Sequence, residues 1–192
     1  MGEFLELKSE DNNIFSAYIS QPLEKPNGGL VILQEIFGVN SHIKEITDLY
    51  ASKGYLSIAP ALFDRVESNI QLEYDENGVS KGRKLKELCD KNALIDINAA
   101  ISVVSSAGNV GIIGYCWGGS LSWRMACHSN NLSASVCYYG GDIPKLKNLE
   151  PKCGVLAHFG ELDQNIPIES VEAFKSVKPE VILYTYPTGH GF

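Results

Sequence analysis

Residues 110 to 120, Val110-Gly111-Ile112-Ile113-Gly114-Tyr115-Cys116-Trp117-Gly118-Gly119-Ser120, constrain this chain more than any other stretch. An apolar run of strand length meets a glycine cluster, and the helix-permissive Leu121 to Cys127 follows at once. This predicts a strand, a tight turn and a helix. A residue held on a strained turn at the end of a strand needs neighbours without Cβ, because bulk there clashes. Gly114 and Gly118 stand two residues either side of Cys116. That is the GxSxG spacing of a nucleophile elbow, with a thiol in place of the hydroxyl. The helix behind it would aim positive partial charge at the sulfur and favour its thiolate. Taken alone, a cysteine in such a turn is equally well a small apolar filler, so the reading depends on whether a base, an acid and an oxyanion hole occur elsewhere in the right order.

The rest of the chain supplies a frame for that turn. Phe4 to Lys8 and Ile14 to Ser20 are short β-prone runs around Ser9 to Asn13 and read as a hairpin. Gly29 to Leu33 is a continuous apolar strand of the kind buried on both faces. A helix carrying Ile43, Ile46, Leu49 and Tyr50 follows, with Ser41 as its N-cap, and Tyr55 to Ala59 makes the next strand before Pro60. Residues 61 to 80 hold few regular signals and read as a functional loop or lid. A long helix is predicted from Lys81 to near Gly108 on the spacing of Leu85, Leu88, Leu94, Ile97, Ile101 and Val104. Ala134 to Tyr139, Gly154 to Phe159 and Val181 to Tyr186 are further strands, with a helix over Ile168 to Val177. The alternation predicts an α/β fold, a mostly parallel central sheet with helices on both faces, in one domain over residues 1–192.

Composition narrows the partners. The chain has 192 residues, 44% hydrophobic and 20% charged, and 16 Lys and Arg against 23 Asp and Glu leave a net charge of -7. This argues against nucleic acid or an anionic membrane surface. The five cysteines are odd in number and form no CxxC pair, which disfavours a zinc site and a disulfide framework and favours a reducing compartment. The acidic start MGEFLELKSEDNN lacks the basic and apolar regions of a signal peptide. The expectation is a cytoplasmic protein, monomer or homodimer, with a small-molecule partner.

Parallel sheets bind ligands beyond the carboxyl ends of their strands. In chain order Cys116, Asp163 and His190 give nucleophile, acid and histidine, each on a post-strand segment. His190 stands between Gly189 and Gly191 after the final strand, whereas His158 lies inside a strand and His42 and His128 look like helix-surface residues. Asp163 could equally cap the helix that opens near Pro167.

With these residues in view, the chain resembles the dienelactone hydrolase, or carboxymethylenebutenolidase, family of α/β-hydrolases over nearly its whole length. The likeness rests on QEIFG (34–38), PALFDR (60–65), GYCWGG (114–119), YYG (138–140), HFGELDQNIP (158–167) and GHGF (189–192). The resemblance implies a cysteine hydrolase that opens a lactone or cleaves a small carboxylic ester, without metal or organic cofactor. It implies that Glu35 pairs with Cys116 at rest and takes its proton when substrate enters, a gated base that spares the thiol from oxidation. The backbone N–H groups of Ile36 and Trp117 match the family's oxyanion hole. Arg65 resembles the family's clamp on the substrate carboxylate, and a surface arginine in a flexible loop is its alternative. Phe37, Trp117, Tyr74 and Tyr139 are candidates to line the pocket or simply to fill the core. The family also carries a further arginine and a C-terminal helix after the histidine. This sequence stops at Phe192, so the expected fold lacks that helix, as in a truncated member, with apolar surface near the last strand either exposed or covered by a second subunit. A rival expectation is a catalytically silent relative that binds ligands or senses thiol chemistry.

Overall fold

In the computed structural model, which describes residues 2–192, the hairpin forms where the β-prone runs lie. β1 (Glu3–Lys8) pairs antiparallel with β2 (Ile14–Ser20). Asn12 closes the turn at φ 67°, a left-handed conformation that asparagine tolerates better than most residues. β2 then pairs antiparallel with β4 (Tyr55–Pro60), and every later pairing is parallel: β3 (Gly28–Leu33), β5 (Val110–Tyr115), β6 (Ala134–Tyr138), β7 (Gly154–Gly160) and β8 (Ile182–Tyr186). The eight strands run in the order β1-β2-β4-β3-β5-β6-β7-β8. All six residues of β3 are buried, as a central strand covered on both faces requires.

The two faces of β3 fill different layers. Leu30 and Ile32 pack with Ile43 of α1 (Ser41–Ser52), and Val31 and Leu33 share a core with Ile97 and Ile101 of α3 (Ala93–Val104). Beyond β5, Trp123 of α4 (Trp117–His128) meets Phe174 of α5 (Ile168–Val177) edge to face at 5.2 Å, closing a third cluster over β6, β7 and β8. The outer end of the sheet is less covered: Ile182, Tyr184 and Phe192 expose half their surface or nearly so.

Two helix boundaries differ from the sequence reading. Asn40, not Ser41, caps α1, its side chain accepting from the Ile43 N–H at 3.2 Å. The long helix expected from Lys81 is two helices. α2 (Glu76–Cys89) starts five residues earlier, behind an Asp75 cap that accepts from the Gly78 N–H at 2.7 Å, and α3 begins after a turn at Asp90 to Asn92. That turn serves a tertiary contact invisible to periodicity: the Asp90 carboxylate accepts from Trp117 Nε1 at 2.7 Å and from Arg124 at 2.9 Å. Residues 61 to 80, expected as a loop, hold a 3-10 turn at Leu62–Arg65 and the start of α2, leaving 66–75 mostly irregular.

Arg65 is employed differently from the expected substrate clamp. Its Nε and NH2 donate to the fully buried Asp96 at 2.6 and 2.9 Å, and NH1 meets Asp11 at 2.8 Å. Asp96 also accepts from Ser9 and from Asn13 at 3.3 Å. The guanidinium fork therefore ties the hairpin turn, the 3-10 turn and α3 together. Asp96→Ala would leave a guanidinium whose side chain is only 11% exposed without its main partner. Loss of one member of such a pair costs about 3 kcal/mol or more. The urea midpoint should drop accordingly, and an unchanged midpoint would show the pair to be dispensable.

Candidate active site

The elbow is built by close packing of backbones. Cys116 lies between β5 and α4 at φ 53°, ψ -113°, a region that a residue with a side chain adopts only when its surroundings hold it there. A Cβ on Gly114 would sit 2.0 Å from the Gly118 carbonyl oxygen, and one on Gly118 would sit 2.5 Å from that of Leu33. Neither position admits a side chain. Backbone bonds pin both ends of the turn, from the Cys116 N–H to the Tyr138 carbonyl at 3.0 Å and from the Gly118 N–H to the Gln34 carbonyl at 3.1 Å. The cysteine is thereby referenced to the ends of β3 and β6 at once.

Residues after β7 and β8 complete the cluster. His190 Nε2 lies 3.2 Å from Cys116 Sγ, and His190 Nδ1 lies 2.6 Å from Asp163 Oδ2. A carboxylate only accepts, so Nδ1 donates and the neutral ring presents Nε2 as an acceptor to the thiol. Asp163 Oδ1 accepts from the Asn165 N–H at 2.8 Å, so the carboxylate is held from both sides. The alternative use of Asp163 as a cap for α5 is not taken, since that helix begins at Pro167 without a side-chain cap. Tyr139, another left-handed residue at φ 37°, packs its ring edge to face against His190 at 4.8 Å. His158, by contrast, is a buried strand residue, stacked on Tyr138 and bonded to the Tyr186 hydroxyl at 2.8 Å.

Ile36 and Trp117 are both buried, and their segments are tightly packed. Trp117 stacks on Phe63 at 5.4 Å and donates its indole N–H to Asp90, while α2 passes so near Ile36 that a Cβ on Gly82 would lie 1.9 Å from the Ile36 carbonyl oxygen. Phe37 packs on Tyr74, with ring centroids 4.4 Å apart.

The charge balance at the sulfur keeps it a thiol. Burial pushes the Cys116 thiol up to about 11, and the Glu35 carboxylate adds to that; the Trp117 N–H and Lys86 oppose it. Glu35, buried after β3, does not make the direct pair with Cys116 that the resemblance implies. Its Oε2 accepts from the Tyr74 hydroxyl at 2.8 Å, and that hydroxyl accepts from Asn40 Nδ2 at 3.2 Å. The thiol meets His190 instead. Tyr74, in sequence only a candidate lining residue, is thus tied to Glu35 across 39 residues, a contact that no local pattern announces. Among the described residues no group of three or more His, Cys, Asp or Glu is placed to hold a metal ion, and no helix is long and apolar enough to cross a membrane.

This balance has a measurable sign. The raised value favours the neutral thiol, so alkylation of Cys116 by iodoacetamide should accelerate as pH rises toward about 11. Glu35→Gln removes a negative charge that opposes the thiolate, and the curve should move to lower pH. Superposable curves, followed by peptide mass, would show that Glu35 does not act on the sulfur.

The model of the dienelactone hydrolase family matches residues 15–192. The carboxymethylenebutenolidase of Pseudomonas putida is 32% identical over 203 residues, covering 99% of this chain and 85% of that one, and the enzyme of the same name from Pseudomonas knackmussii matches equally. Among solved structures, a Klebsiella pneumoniae protein assigned to the dienelactone hydrolases superposes with a TM-score of 0.81 at 26% identity, covering 99% of this chain and 88% of that one. With its eight-stranded sheet, its elbow and these relatives, the chain belongs to the dienelactone hydrolase family of α/β-hydrolases.

Proposed function

We propose that this chain is a cysteine hydrolase that opens a lactone or cleaves a small carboxylic ester, with Cys116 as nucleophile, His190 as base and Asp163 as its orienting acid. One observation carries the reading: Sγ, the imidazole and the carboxylate stand in hydrogen-bonding succession, at 3.2 and 2.6 Å, on a strained turn at the carboxyl end of a central strand. The relatives from Pseudomonas putida and Pseudomonas knackmussii carry the name carboxymethylenebutenolidase, which fits a lactone as the substrate class.

In the forward step the thiol proton passes to His190 Nε2 and sulfur attacks the acyl carbon, giving a tetrahedral species whose oxyanion lies toward the Ile36 and Trp117 N–H groups. Asp163 stabilises the imidazolium through Nδ1. Collapse breaks the acyl–oxygen bond, and the imidazolium returns its proton to the leaving alkoxide, which in a lactone stays tethered to the acyl group. Water, deprotonated by His190, then attacks the thioester, the carbon–sulfur bond breaks, and the imidazolium returns the proton to sulfur. The products are the acid, the alcohol and the free thiol, so no cofactor enters the balance. Glu35 works on the thiol through its charge.

Cys116→Ala should abolish turnover of a dienelactone or aryl ester while leaving the circular dichroism spectrum unchanged. His190→Ala should lower kcat by about 10³-fold or more. Full activity in either variant would overturn the assignment. A stable Cys116 acyl adduct without turnover, seen by intact mass, would instead indicate a thiol-sensing or binding protein.

A further inference from the structure

The segment between the 3-10 turn and α2 is stitched to the loop that carries Glu35. The Leu72 N–H donates to the Phe37 carbonyl at 2.9 Å, Gln71 and Gly38 form an isolated antiparallel bridge, and Lys44 Nζ reaches Gln71 at 3.0 Å. Gly38, at φ 80°, lets the two backbones touch: a Cβ there would lie 2.0 Å from the Ile70 carbonyl oxygen. Three residues beyond Gln71, Tyr74 leaves 59% of its surface exposed, yet its ring rests on Phe37 and its hydroxyl points inward to Glu35. Asn40, which is itself fixed as the cap of α1, supplies the donor on the other side of that hydroxyl. The phenol proton therefore has one acceptor, and its direction is set from Asn40 through Tyr74 to Glu35.

We propose that Tyr74 is a positioning residue for Glu35: its hydroxyl fixes the carboxylate in the pocket it shares with Cys116, and so keeps Cys116 a thiol until the exposed tyrosine is displaced. The inference rests on Cys116 being the reactive thiol of the proposed hydrolase, but not on any particular ester. Burial and the neighbouring Glu35 charge push the Tyr74 phenol up to about 12, so it remains a donor throughout the neutral range. The groups that face the carboxylate and the thiol from the surrounding elements are Tyr115 of β5, Tyr139 after β6, Asp163 and His190 after β7 and β8, and Lys86 of α2. Burial holds Tyr115 and Tyr139 neutral as well.

Removing the phenol oxygen leaves the ring on Phe37 and deprives the carboxylate of its donor. Glu35 is then free to leave its place, and the loss of its negative charge from beside the sulfur favours the thiolate. A substrate whose apolar flank displaces Tyr74 would produce the same release.

The test is the pH dependence of Cys116 alkylation by iodoacetamide in the wild type, Tyr74→Phe, Glu35→Gln and the double variant, with thermal unfolding followed alongside. Tyr74→Phe should raise the rate at pH 7.5 by about 3- to 10-fold, and the same change made in the Glu35→Gln background should have no effect. A profile identical to or slower than that of the wild type, or an equal acceleration without Glu35, would overturn the proposal. Alkylation requires no ester, so absence of hydrolysis would sink the catalytic reading while leaving this result to be judged separately.

Discussion

The site depends on the near-contact of main chains around Cys116. β5 ends against backbone from β3 on one side and β6 on the other, and the missing side chains of Gly114 and Gly118 allow the turn to enter α4 without a gap. A cysteine at φ 53° would relax in an open loop. Here two tethering bonds, to the Tyr138 and Gln34 carbonyls, leave it nowhere to go, and the sulfur is held at the rim of the sheet. Because the same bonds reference the loops after β3 and β6, any residue on those loops inherits a fixed position relative to sulfur.

A second consequence concerns charge. The sulfur sits beside an imidazole, a buried carboxylate and a helix N-terminus, yet burial outweighs the stabilising groups and the resting species is the thiol. Dipole and amide contributions act the other way and favour the thiolate, as the sequence suggested. The difference arises from desolvation, with the negative charge of Glu35 acting in the same direction. In the proposed reaction, a nucleophile that is quiet at rest resists oxidation and adventitious alkylation.

The sheet was legible because its strands are short apolar runs bounded by glycine, proline and polar turns, and the helix over Ile168–Val177 falls where its spacing puts it. The elbow was legible because steric exclusion leaves a compositional mark. Helix limits were harder wherever a side chain from elsewhere decides them: Asn40 wins the cap of α1 over Ser41, and the turn at Asp90 interrupts the helical spacing where Asp90 reaches Trp117 and Arg124. Arg65 shows the same limit for function. Its motif fits a carboxylate clamp, but a buried Asp96 31 residues away binds it, and nothing in the local sequence announces that partner. Tyr74 is the reverse case, a candidate lining residue in sequence that folding delivers to Glu35.

The most direct measurement is a crystal structure of the protein with a reversible aldehyde analogue of a small ester. The expected result is a thiohemiacetal on Cys116 with its oxygen about 3 Å from the Ile36 and Trp117 amide nitrogens, and the His190 ring still joined to Asp163. An adduct on another cysteine, or one whose oxygen turns away from both amides while His190 parts from the carboxylate, would contradict the proposed chemistry at its centre.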